Sequence, residues 1–142
     1  MVRLRTREGR RYDMPVTTKR TRVVLWILQG LLAALFLFAG GFKLAMPLAA
    51  LAKVSPLPAA FLKFIGAAEV AGALGLVLPG LLRIRTGLTP LAAAGLVIIM
   101  AGATTVTVAT QGAAPAVLPL VVGILAATVA RGRWQPDRNS NH

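Results

Sequence analysis

Glu69 is the only acidic residue inside any apolar stretch of this 142-residue chain, so the chemistry open to it is that of a carboxyl group held away from water. It lies about ten residues from either end of its apolar block, which places it near the bilayer midplane if that block crosses a membrane. An ionisable group there costs about 2.5 to 3.5 kcal/mol on insertion scales, so it must face other protein and find a partner. Gly66 and Gly72 lie three residues to either side and Ala73 four residues on. They put small residues on the Glu69 face, where a second helix can pack closely. The ionisation of Glu69 depends on the partner it finds.

Several polar residues are candidate partners. Lys43 ends the preceding apolar block, and its long side chain either snorkels to the outer interface or reaches down towards Glu69. Lys63 lies six residues before Glu69, about 9 Å along a helix axis and about 120° around it, which is a poor placement for a pair within one helix. Snorkelling is its expected role. Gln29 in the first block and Thr104, Thr105 and Thr107 in the third complete the set, although hydroxyls in membrane helices commonly bond their own preceding carbonyls. Two readings follow. One is a buried polar clasp that fixes helix register without a substrate. The other is a small-molecule site in the outer half of a bundle, with Glu69 accepting or donating a proton.

Other chemistries are missing. The chain has no cysteine, and its one histidine, His142, is the last residue. Disulfides, thiol redox chemistry, Cys or His zinc sites and His-ligated haem are excluded from the chain's own repertoire. Glycine-rich phosphate loops, nucleophile elbows and metal motifs are absent.

The elements that must position these residues follow from the hydropathy. Hydrophobic side chains make up 56% of the chain, charged ones 14%, and the mean hydropathy is +0.73. Soluble domains carry about 25% charged residues, so the composition predicts an all-α integral membrane protein. Four apolar blocks are long enough, or nearly so, to cross a core of roughly 30 Å: residues 23–42, 59–78, 90–109 and 113–130. Together they predict a four-helix domain over 23–134. A basic tail over 1–22 is expected to be disordered, and a polar tail occupies 135–142. Prolines 47, 56 and 58 interrupt the first connection. Pro79-Gly80 reads as a helix stop and turn, and Thr89-Pro90 as an N-cap with proline at the first helical position. Pro115 suits a first turn, whereas Pro119 predicts a kink or a later helix start. Trp134, after Arg131 and Arg133, reads as an interfacial anchor.

Charge then orients the bundle. Thirteen of the sixteen basic residues fall in the two tails and the loop holding Arg83 and Arg85. Four crossings put these segments on one side, and the positive-inside rule makes that side, with both termini, cytoplasmic. The first block and Ala50-Leu51-Ala52 imitate a secretory signal, but the apolar run exceeds the 7 to 15 residues typical of one. The basic tail holds one aromatic, Tyr12, and no nucleic-acid-binding fold, so topology and attraction to anionic lipid account for it. The bilayer is the expected partner, and nucleic acid is not.

Three segments carry a family resemblance: Phe38-Ala39-Gly40-Gly41-Phe42-Lys43-Leu44, Gly66-Ala67-Ala68-Glu69-Val70-Ala71-Gly72 and Leu88-Thr89-Pro90-Leu91. In order and spacing, the run from Leu25 to about Trp134 resembles the DoxX-like family of small four-helix bacterial membrane proteins. The resemblance implies an inner-membrane bundle with Lys43 and Glu69 as its polar positions. Some members are subunits of thiosulfate:quinone oxidoreductase, and others are linked to membrane thiol and superoxide defence. Many relatives carry a histidine near the outer end of the third helix, roughly where Thr107 stands. The expectation is an accessory or quinone-binding subunit of a redox or stress-protection assembly, or a homo-oligomer, with no intrinsic cofactor and quinone as the expected ligand. A proton-coupled transporter using Glu69, or a purely structural membrane protein, are the alternatives. Glutamate-dependent four-helix exporters rely on dual topology, which the charge asymmetry here opposes.

Overall fold

The computed structural model describes residues 19–134 apart from Thr86; the expected disorder of the basic tail up to residue 18 and the polar tail 135–142 lie outside the described residues. Five helices follow in order: α1 (Lys19–Ala45), α2 (Leu48–Val54), α3 (Ala59–Leu81), α4 (Leu88–Gln111) and α5 (Ala113–Arg133). All but α2 are long and apolar enough to cross a membrane, and no strand occurs among the described residues. The protein is a multi-pass membrane protein.

α1 packs on α3, α3 on α4, α4 on α5, and α5 returns to α1, closing a four-helix ring. Its centre is filled by Leu32 and Phe36 of α1, Leu76 of α3, Leu96 of α4 and Ala126 and Val129 of α5. Around the outside, Phe38, Phe64, Ile98 and Leu118 are each at least two-thirds exposed. In water such a surface would drive aggregation; in a bilayer it is what contacts acyl chains. Within lipid every backbone polar group must be satisfied internally, and helices do this segment by segment.

Helix boundaries depart from the sequence expectation where proline is concerned. Lys19–Arg22 belong to α1 rather than to a disordered tail. Pro79 lies inside α3, two residues before its last residue, so it does not stop the helix. Proline forfeits only the bond to the carbonyl four residues back, and the chain beyond continues through Leu82 N–H to Leu78 O at 2.9 Å. Thr89 is not the N-cap of α4; Gly87 is, without a side-chain cap, and Pro90 is the third helical residue. The first four N–H groups of a helix lack intrahelical partners, so proline is tolerated anywhere in that turn. Likewise α5 starts at Ala113, before both Pro115 and Pro119, and runs on through Pro119, so the helix does not start late.

The short helix α2 was not expected. Seven residues between Pro47 and Pro56 form it, with Leu51 buried against the bundle. At the same end, α4 and α5 are joined by Gly112 alone, at φ 92° and ψ −178°. That backbone region is essentially restricted to glycine.

Candidate functional site

Two glycines decide where α1 and α3 meet. A Cβ on Gly40 would stand 2.6 Å from the Gly66 carbonyl oxygen, and one on Gly66 would stand 3.0 Å from the Gly40 carbonyl oxygen. The helices therefore touch backbone to backbone. Each glycine lies one turn before a charged residue, Gly40 before Lys43 and Gly66 before Glu69, and residues three apart share a helix face. The close approach thus brings the two charges together. Lys43 Nζ donates to both carboxylate oxygens of Glu69, at 2.9 Å to Oε1 and 2.7 Å to Oε2. The Glu69 side chain is 3% exposed and that of Lys43 28%.

The pair faces a cavity of about 640 Å³ enclosed by α1, α2, the 55–57 segment, α3 and α4. Its walls are mainly apolar, including Met46, Phe61, Ile65, Ile98 and Ala103, and Thr107 shares the lining with Glu69. A shallower depression holding Lys53 adjoins it through Val54, Ser55, Pro56, Thr110 and Gln111. A cavity of this size, apolar with a few fixed polar groups, is the usual form of a small-molecule site.

The remaining expected residues are distributed as follows. Lys63 donates to the Leu44 carbonyl oxygen, capping the end of α1 as a basic residue there can. Thr104 and Thr105 donate to Met100 O at 2.7 Å and Ala101 O at 2.9 Å within their own helix, and neither lines the cavity. Gly72 packs against Leu96 of α4 rather than against α1, and Ala73 is buried in the core. Trp134, at the C-cap of α5, is 65% exposed.

Gln29 does not join Glu69. It lies on α1 about 21 Å from Lys43 along the axis, fully buried, donating Nε2 to Leu76 O at 2.6 Å. Its Oε1 accepts from Arg133 Nε at 2.9 Å and Nη2 at 2.6 Å. Gln29→Leu keeps the bulk but abandons the arginine, and should cost about 1 to 3 kcal/mol, read as earlier thermal unfolding in detergent with cavity binding unchanged. Arg133 and its neighbour Trp26 were missed in the sequence, where Arg133 counted only as orienting charge.

A family model for the DoxX-like family matches residues 27–129. The chain belongs to the DoxX-like family. The match takes in both Lys43 and Glu69 and all four membrane helices, and only the last turn of α5 and the start of α1 lie beyond it. No curated protein and no solved structure gives a significant match to this DoxX-like chain. Its site is therefore read from its own geometry.

Proposed function

We propose that this DoxX-like protein is an inner-membrane accessory subunit of a redox or stress-protection assembly, and that it holds a lipophilic small molecule of quinone type in the cavity beside Glu69. The observation that carries this reading is the Lys43 and Glu69 ion pair facing a mainly apolar cavity. Lysine has three N–H donors, and two are directed at Glu69, so the third is free for a ring carbonyl oxygen. The apolar walls suit a ring and the start of a prenyl tail. A bound quinone would supply two-electron, two-proton chemistry. The chain's own part is to bind and orient, with Lys43 donating a hydrogen bond and Glu69 fixing the ammonium. Positive-inside bias supports termini on the cytoplasmic side and the cavity in the outer half.

Gly102 gives a direct test. It lines the cavity, and a Cβ there meets nothing within 4 Å, so Gly102→Leu adds bulk at the cavity wall from a position where its Cβ has open space. Wild-type protein purified in mild detergent should yield a quinone on extraction and mass spectrometry, together with a defined partner subunit, and Gly102→Leu should lose most of the quinone at unchanged thermal stability. Empty, partnerless wild-type protein, or equal quinone in both, would overturn the reading.

A further inference from the structure

At the end of the bundle opposite the cavity, Arg133 is held in a manner that the proposed ligand site does not use. Its guanidinium donates to Gln29 Oε1 through Nε and Nη2 and lies 5.3 Å from the centre of the Trp26 ring. Gln29 is itself fixed by its bond to Leu76 O. Gly132 brings the helix ends together: a Cβ there would lie 2.9 Å from the Leu25 side chain. Guanidinium has five N–H donors, and Nη1 has no acceptor among the described residues.

The charge is also unmatched. Among the described residues the sole acid is Glu69, which is paired with Lys43 at the far end. Arg22 lies one helical turn before Leu25 and Trp26, on the face of α1 that meets Gly132 and Arg133. Two cations at the boundary of a membrane-spanning ring, one of them held in a fixed orientation and neither with an anion beside it among the described residues, favour an anion from outside. A planar guanidinium matches two phosphate oxygens at once, and Val23, Val24 and Ile27 of α1, each more than half exposed, offer apolar surface to acyl chains.

We propose that Arg133 and Arg22 bind the phosphodiester of an anionic phospholipid, with Gln29 and Trp26 holding the Arg133 guanidinium in place. The site is separate from the cavity and does not depend on what occupies it. Native mass spectrometry of the full chain in detergent tests it, with phosphatidylglycerol, phosphatidylcholine and soluble glycerophosphate as the three probes. Phosphatidylglycerol should be retained preferentially. Arg133→Gln and Arg22→Gln should each weaken its binding about fivefold, the contribution of one basic residue at an anionic surface, while Lys53→Gln at the far end changes nothing. Arg22→Gln leaves the Gln29 bonds in place, so the test stands even if Arg133→Gln does not fold. Equal retention of the two lipids, or unchanged affinity in the variants, would overturn the proposal. Glycerophosphate bound as tightly as the lipid would instead make this a soluble-phosphate site.

Discussion

Replacing Lys43 with methionine should lower stability by about 3 to 5 kcal/mol, the usual cost of removing one partner from a buried pair. Glu69 is then a carboxyl group among apolar side chains, and its short side chain cannot reach water. The reverse change is milder. Lys43 is 28% exposed and ends its helix, so in Glu69→Gln the ammonium can turn to the interface, and the loss should be nearer 1 to 3 kcal/mol. Combining Lys43→Met with Glu69→Leu removes both charges and should recover most of the stability, since an apolar pair of similar volume often replaces a buried ion pair without loss. Thermal unfolding in detergent measures all three. Equal losses from the two single changes would show that Glu69 is held by something other than Lys43. The double variant also divides the functional readings: a stable protein that no longer retains quinone assigns the pair to ligand binding, and one that still retains it assigns the pair to helix register alone.

The second large effect belongs to a single methyl group. Gly40→Ala places a Cβ 2.6 Å from the Gly66 carbonyl oxygen and 2.9 Å from Val70. The nearer atom is backbone, so a whole helix must move. Overpacking of this kind costs about 1 to 3 kcal/mol, and the separation it forces should also loosen the Lys43 and Glu69 contact. Gly41→Ala, one residue along, meets nothing within 4 Å and should be neutral or stabilise by up to about 1 kcal/mol, because glycine is a poor helix residue. Paired unfolding measurements on these two neighbours check the argument. Similar behaviour of the two variants would mean that the helices do not touch at Gly40.

The bundle was legible because membrane helices are set by length and hydropathy, which are local properties. Glu69 was legible for a related reason, since a lone carboxyl in an apolar run demands an explanation wherever the chain folds. Its pairing was only half legible. Lys43 was left between snorkelling to the interface and reaching Glu69, and the choice depends on the Gly40 and Gly66 contact between residues of different helices. A signal was present in the repeated spacing of glycine and charge, Gly40 to Lys43 and Gly66 to Glu69. The Arg133 and Gln29 bond spans 104 positions and joins the first membrane helix to the last, so nothing local announces it. Helix α2 is too short for its apolar residues to show a period, and prolines at 79 and 90 were misjudged because proline acts on the turn before it.

The one-residue link at Gly112 has a consequence for how the protein is made. A chain entering a membrane must carry some of its connections across the hydrocarbon, where polar ones are costly. Between α4 and α5 there is almost nothing to carry: no charge and one glycine. The two helices can enter as a preformed hairpin, their facing surfaces already matched before the first half of the bundle closes around them.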